Sequence, residues 1–168
     1  MLDLVRLSTI AFQPGELKKL YARAAAILPD FPTNSCSITA ALLLQEVGLT
    51  TLQLKLPFIT RAQFLLETLK KSGDWNTFPV STGCFPGDVV FSKDMNKNKM
   101  TDHVFIVLAP LDGDKALVVD NRLGALNNFH PYVRNLGPGT YTEAETILRY
   151  KKGWWATNTK ARSAMVST

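Results

Sequence analysis

Hydrophobic positions in the first half of the chain recur at helical spacing. The apolar side chains between residues 15 and 28 fall on one stripe, with a proline beyond each end, and this pattern predicts an amphipathic helix. The stretch from Thr33 to Gly48, TNSCSITAALLLQEVG, has apolar residues on several sides. It predicts a helix that is buried nearly all round and ended by the glycine. Thr60 to Gln63 has the form of a capping box, so a further helix is predicted to follow it.

After Pro79 the pattern changes to short runs of β-branched and aromatic residues, separated by Gly, Pro, Asn and Asp. Such runs predict antiparallel strands, here at 88–92, 103–109, 116–120 and 146–152. The stretch from Gly124 to Tyr141 is polar and rich in Gly, Pro and Asn. It is predicted to be a long loop, either functional or mobile.

Helices followed by strands predict an α+β fold rather than an alternating parallel one. We expect the N-terminal helices, over about residues 1–75, to pack on one face of an antiparallel sheet over about residues 86–155. The chain has 168 residues, of which 46% are hydrophobic, so it can bury a core that covers roughly two-thirds of its unfolded surface. A single domain over residues 1–168 is therefore expected.

Charge and hydropathy narrow the choice of partners. The formal net charge of +5 favours polyanionic partners in general. The basic residues are mostly scattered, however, and no nucleic-acid-binding motif accompanies them, so we expect no binding to nucleic acid. No window approaches the roughly 18 uninterrupted apolar residues of a membrane span, and the N-terminal stretch lacks the pattern of a signal peptide. Neither membrane insertion nor a cleaved leader is expected.

The chain has two cysteines, Cys36 and Cys84, and two histidines, His103 and His130. Two cysteines are too few for a disulfide scaffold, and we expect Cys84 to be a partly buried residue without a role in a site. Without a CxxC pair, a four-ligand zinc centre would need carboxylates from unrelated places. We therefore expect no metal and no other cofactor.

Cys36 lies at the predicted start of the apolar helix. Thr33, Asn34 and Ser35 are all suitable N-cap residues, so the thiol falls within the first turn. Free backbone N–H groups and the positive end of the helix dipole stabilise a thiolate there. Free cysteine is also one of the most buried residue types. The helix alone therefore leaves open whether Cys36 is a core residue or a nucleophile.

A cysteine nucleophile needs a base and a group that orients this base. His103 opens an apolar strand, and the next strand ends in Asp120 and Asn121. If the two strands pair, His103 can lie beside one of these acceptors on the same face. Taken singly, a structural histidine and a turn-forming Asp-Asn pair are the alternatives. His130 is the rival base, but it lies beside a proline in the predicted loop.

Four segments in this order resemble the NlpC-type and CHAP-type papain-like cysteine peptidases and amidases: NSCSITAALLLQEVG, FPGDVVFS, DHVFIVL and VVDNR. They cover roughly residues 20–122. The resemblance implies a papain-like fold in which a cysteine attacks an amide carbonyl, a histidine from the sheet is the base, and a polar residue on the adjoining strand orients it. Around the nucleophile the chain has Ser-Cys-Ser-Ile, where the commonest form in the family is Asp-Cys-Ser-Gly.

Carried over to this sequence, the resemblance implies Cys36 as the nucleophile, His103 as the general base and acid, and Asp120 as the orienting residue. Asn121 is the alternative third member. Ser37 matches the family's serine and is expected to contact substrate. The backbone N–H of Cys36 is the expected oxyanion donor.

Enzymes of this family mostly cut peptide or amide bonds in peptidoglycan. The resemblance therefore implies a hydrolase of peptidoglycan stem peptides, either a secreted antibacterial effector, with an immunity protein as a candidate partner, or a phage lysin. We expect the protein to be a monomer. We expect synthesis in the cytoplasm and leaderless delivery to a periplasm or cell wall. A toxin that deamidates or cleaves a host protein with the same triad is one alternative. A non-catalytic binding module is the other.

Four other residues have expected roles outside the triad. Asp88 is expected to cap local backbone N–H groups where a strand starts. In the family that the chain resembles, an oxyanion-hole tyrosine, when present, lies upstream of the cysteine. Tyr21 is the only tyrosine upstream of Cys36, but it belongs to the apolar helix stripe, so we expect it to be a core residue. Trp154 and Trp155 are expected to cover one edge of the core rather than to stack on sugars or bases.

Overall fold

The computed structural model describes residues 2–28, 31, 34–49, 61–92, 101–122, 130–140 and 143–152. Within these ranges the helices are α1 (Leu4–Phe12), α2 (Pro14–Ile27), α3 (Cys36–Glu46) and α4 (Ala62–Lys71). The strands are β1 (Trp75–Phe78), β2 (Val89–Ser92), β3 (His103–Pro110), β4 (Lys115–Val119), β5 (Tyr132–Asn135) and β6 (Ala144–Tyr150), and a short 3₁₀ helix, Val80–Thr82, lies between β1 and β2. No helix in these ranges is long and apolar enough to cross a membrane.

The strands form one antiparallel sheet in the order β1-β6-β2-β3-β4-β5. The predicted α+β class is therefore confirmed. Buried residues of all four helices form one cluster with strand residues such as Phe91, Val104 and Ile106. The intervening strand residues, such as Val90 and Phe105, belong to a second cluster that includes no residue of α1 to α4. Because successive side chains of a strand point to opposite faces, the helices cover one face of the sheet.

Helix α3 is buried along most of its length. From Ile38 to Leu44 no side chain is more than 1% exposed, as expected for a helix surrounded by protein. The helix contacts α1, α2 and α4 as well as strand β3. Gly48 follows its end with a φ of 111°, a conformation that glycine adopts without steric cost, so the predicted stop is confirmed. This packing fixes the position of the first residue of the helix, Cys36.

The limits of α2 agree closely with the sequence prediction, and α4 lies where a helix was predicted, whereas no limits were predicted for α1. Helix α2 covers residues 14–27, against a predicted 15–28. Helix α4 begins after Arg61, whose side chain makes no capping hydrogen bond. The predicted capping residue, Thr60, lies outside the described residues. The apolar stripe therefore located α2 and the capping-box pattern located α4, although the cap of α4 was assigned to another residue.

Two strands lie where none was predicted. The stretch 124–141, predicted as a loop, contains β5, which pairs with β4. Its alternation is inconspicuous because exposed Val133 is apolar and half-buried Arg134 is charged, the reverse of the usual pattern. Strand β1 begins at Trp75, ahead of the predicted sheet region, and pairs with β6. With four residues between a helix and a proline, it is too short for a clear periodicity.

A buried ion pair joins the start of β2 to β6. Asp88 is 0% exposed and Arg149 is 2% exposed. Nε and Nη2 of the guanidinium donate to the two carboxylate oxygens at 2.8 and 2.7 Å, and the guanidinium lies 4.1 Å from the centroid of the Phe85 ring. The backbone N–H of Phe85 also donates to Asp88 at 2.8 Å. The predicted capping role of Asp88 is therefore confirmed, whereas its arginine partner was not predicted.

We expect Arg149→Met to lower the free energy of unfolding by about 3–5 kcal/mol, because the Asp88 carboxylate would stay buried without its partner. Urea unfolding followed by circular dichroism measures this loss. The matched control is Arg23→Met, which removes an arginine that pairs with Glu46 at the surface and should cost less than about 1 kcal/mol. Equal losses in the two variants would contradict the structural role of the buried pair.

Candidate active site

Cys36 is held at the beginning of α3. Asn34, two residues earlier, has a φ of 54°, in the left-handed region that asparagine enters more readily than most residues. Ser35 is the N-cap. The thiol therefore lies in the first helical turn, close to backbone N–H groups that have no partner within the helix. The residue is 5% exposed, and its Sγ lies 3.8 Å from the main-chain carbonyl oxygen of Asp102.

His103 is the first residue of β3, and its ring meets the carboxylate of Asp120, the residue directly after β4. The distance from Nε2 to Oδ2 is 2.7 Å. The register of the two strands pairs Ile106 with Val119, and its continuation makes His103 and Asp120 diagonal neighbours on one face. Of the two acceptors that the sequence left open, Asp120 is the one in contact with the ring. Asn121 follows it and is half-buried.

The Asp120 carboxylate is 1% exposed and is surrounded by donors. Its Oδ1 accepts the backbone N–H of Arg122 at 2.8 Å. Its Oδ2 accepts from the hydroxyl of Tyr132 at 2.5 Å and from Nη2 of Arg134 at 2.6 Å, in addition to the contact with His103. These donors fix both the position and the orientation of the carboxylate.

Cys36, His103 and Asp120 shift one another's pKa. Burial alone would lower the pKa of His103, but the hydrogen bonds to Asp120 and Cys36 outweigh it and raise the pKa to about 9. Burial would raise the pKa of the Cys36 thiol, but the hydrogen bond and the charge of His103 bring it below its ordinary value. Burial likewise opposes ionisation of Asp120, yet His103 and Arg134 hold the pKa of this carboxyl well below its usual range. These shifts favour a thiolate beside an imidazolium.

This arrangement can activate the thiol. Because Nε2 of His103 is in contact with Asp120, Nδ1 is the nitrogen that remains to take the proton of Cys36. Asp120 then stabilises the positive ring that results. The free N–H groups at the start of α3 are donors for a developing oxyanion. A nucleophile, a base and an orienting carboxylate therefore lie together.

Ser37 and His130 were also candidates for the site. Ser37 is 0% exposed inside α3, so a contact between Ser37 and substrate stays a prediction that this packing does not favour. His130 is exposed, and its Nδ1 donates to the carbonyl of Pro131 at 2.8 Å. The histidine that contacts Asp120 is His103.

Cys84 is a free thiol, as is Cys36. It packs against the cluster on the face of the sheet opposite the helices, and burial raises its pKa to about 12. Within the described residues, no group of three His, Cys, Asp or Glu side chains could hold a metal ion. Trp154 and Trp155 lie outside the described residues, so their expected role stays a prediction.

Two side chains around Asp120 were not predicted from the sequence, and neither was the contact that a third, Tyr21, makes with this residue. Tyr132 and Arg134 lie on β5, and the signal that could have found them is their spacing of two in YVRN, which places both on one face of a strand. Tyr21 is 3% exposed in the core, as its stripe position predicted. Its hydroxyl also donates to the main-chain carbonyl of Asp120, and no sequence pattern indicated this bond. The tyrosine thus ties α2 to the end of β4.

Comparison with known proteins gives little further information. No protein-family model matches the chain, and no curated protein matches it. The crystal structure of Ly7917 matches 48% of this chain and 33% of its own chain, at 16% sequence identity and a TM-score of 0.32. A similarity at this level carries no argument about fold or function.

We expect iodoacetamide at pH 7 to alkylate Cys36 roughly tenfold faster than free cysteine, because a thiolate is the reactive species. Cys84 should stay unmodified, since its raised pKa keeps it protonated. Mass spectrometry of the labelled protein measures both rates, with Cys84 as the internal control. His103→Ala should slow the alkylation of Cys36 to the rate of free cysteine or below. Equal labelling of the two cysteines would refute the activation of Cys36.

Proposed function

We propose that this protein is a papain-like cysteine hydrolase of the NlpC or CHAP type, with Cys36 as nucleophile, His103 as general base and acid, and Asp120 as the orienting residue. The observation that carries the proposal is the position of His103, whose Nε2 lies 2.7 Å from Asp120. The ring also interacts with the Cys36 thiol, which raises the pKa of His103 and lowers that of the thiol. A structural cysteine in a core needs neither a histidine base nor a buried carboxylate behind this base.

In the proposed reaction, the proton of Cys36 passes to Nδ1 of His103, and the thiolate attacks the carbonyl carbon of an amide. Backbone N–H groups at the start of α3 stabilise the oxyanion of the tetrahedral intermediate. The intermediate collapses when the imidazolium gives its proton to the leaving amine, which leaves a thioester on Cys36. His103 then takes a proton from water, and the hydroxide releases the acyl group as a carboxylic acid and regenerates the thiol.

The proposed substrate is the stem peptide of peptidoglycan. Two features support it: the family resemblance of the segments that contain the triad, and the net charge of +5, which favours association with an anionic cell wall. We propose that the protein is an antibacterial effector or a phage lysin that acts on the cell wall. The net charge of the protein and the chemistry of the triad suit an antibacterial effector and a phage lysin equally.

The test is the digestion of purified sacculi, with the fragments separated by mass. Wild type and Cys84→Ala should release the same muropeptides, whereas Cys36→Ala should release none. Cys84→Ala is the matched control, since it removes the other thiol of the chain. Equal digestion by wild type and Cys36→Ala would refute the mechanism. Intact sacculi together with His103-dependent alkylation of Cys36 would refute the peptidoglycan substrate and favour a protein target.

We expect kcat/KM to fall on the alkaline side with a midpoint near pH 9, where His103 loses the proton that it donates to the leaving group. The bond to Asp120 raises the pKa of His103, so Asp120→Asn should move this alkaline limb to lower pH by about one unit or more. The measurement is a pH profile of hydrolysis of an isolated muropeptide. Asp112→Asn, which changes an exposed carboxylate in the turn between β3 and β4, should leave the profile unchanged. An alkaline limb that Asp120→Asn does not move would contradict the role of Asp120.

A further inference from the structure

Arg134 lies between the carboxylate and the histidine of the proposed triad. Its Nη2 is 2.6 Å from Oδ2 of Asp120 and 2.8 Å from Nε2 of His103, and its Nε donates to the hydroxyl of Tyr132 at 2.7 Å. The side chain is 11% exposed, and its guanidinium carbon lies 5.0 Å from the centroid of the Phe105 ring. The guanidinium is therefore held in place on several sides.

Arg134 competes with His103 and Tyr132 for Oδ2 of Asp120. A guanidinium has no acceptor and stays protonated. When Nε2 of His103 carries the proton that it donates to Asp120, the 2.8 Å contact between Nε2 and Nη2 joins two donors that point at the same Oδ2. The hydroxyl of Tyr132 is a third donor to this atom. A carboxylate oxygen has about two lone-pair sites, so the donors share it.

We propose that Arg134 is a positioning residue of the triad, which shares the Asp120 carboxylate with His103 and so limits how firmly this carboxylate holds the imidazolium. The inference rests on the proposed function. His103 has to return its proton to the leaving amine, and an imidazolium that is held too firmly is a poor acid. A positive charge beside the ring disfavours the imidazolium directly, and it offsets part of the carboxylate's charge.

The titratable groups that face His103 come from separate helices and strands. The Cys36 thiol approaches from α3 and the Asp120 carboxylate from the end of β4, and both favour the charged ring. Tyr132 on β5 is a neutral donor, because burial and Asp120 raise the pKa of its hydroxyl. Asp102, the residue directly before β3, directs its main-chain carbonyl at Cys36.

Two arginine side chains, those of Arg122 and Arg134, lie near Asp120 and Tyr132. The guanidinium carbon of Arg122 lies 4.8 Å from the centroid of the Tyr132 ring, and the residue contributes its backbone N–H to Asp120. Among the described residues, Arg134 is the cation in direct contact with the His103 ring. Removal of the Arg134 charge should therefore change the pKa of His103 in one direction. Without this charge the imidazolium is more stable, and the pKa of His103 rises.

The experiment is a pH titration of the His103 imidazole signals by NMR in wild type, Arg134→Gln and Arg134→Lys. With two histidines in the chain, the signals are assigned from a His130→Gln variant. Arg134→Gln keeps a donor for Asp120 but removes the charge, so the titration midpoint should rise by about one pH unit or more. Arg134→Lys keeps the charge and should titrate closer to wild type. A midpoint in Arg134→Gln that is equal to or below the wild-type value would overturn the inference.

If Arg134→Gln does not fold, Asp120→Asn combined with Arg134→Gln takes its place, because this pair of changes leaves no unpaired buried charge. The His103 midpoint of the double variant should then lie above that of Asp120→Asn alone, since the repulsion from Arg134 is gone. Equal midpoints in these two proteins would overturn the inference as well.

The variant Cys36→Ala separates failure of this inference from failure of the proposed function. Loss of the thiolate should lower the His103 midpoint, because the thiolate favours the imidazolium. A midpoint that Cys36→Ala leaves unchanged would overturn both the proposed triad and the role of Arg134. A midpoint that responds to Cys36→Ala but not to Arg134→Gln would overturn the role of Arg134 alone.

Discussion

The geometry of the candidate site depends on the burial of one charge. The carboxylate of Asp120 is 1% exposed, and an ionised carboxylate in such a place costs several kcal/mol unless donors surround it. Its side-chain donors come from His103 at the start of β3 and from Tyr132 and Arg134 on β5. The requirement to pair this one group therefore holds separate segments at the same end of the sheet, and it also orients the imidazole.

The residues of the candidate site come from both faces of the sheet. Cys36 belongs to the cluster on the helix side, whereas Tyr132 packs against the cluster on the opposite side. His103 is the first residue of its strand, where the ring can reach both groups without passing through the sheet. The nearly complete burial of α3 keeps the nucleophile from shifting relative to this ring. A thiol and a carboxylate on different faces can thus act on one histidine.

The pattern of apolar residues in the sequence was sufficient for α2 and α3 and for four of the six strands. It failed at β1, which is too short to show alternation, and at β5, where a half-buried arginine alternates with an exposed valine. The order of the motifs around Cys36, His103 and Asp120 was enough to name these residues as a set. It could not choose between Asp120 and Asn121, because both follow the same strand and only the pairing register brings one of them to the ring.

The sequence by itself determined the α+β class, the apolar helix that begins at Cys36 and the candidates for the triad, because these depend on local periodicity and on the residue types present. Only the tertiary structure decided what surrounds Asp120 and how Arg134 and His103 share it. Strand β5 lies in a stretch whose composition is that of a loop, and its side chains gain their role from pairing with β4. The physical reason is that a buried charge selects its partners by distance in space, and separation along the chain carries no information about that distance.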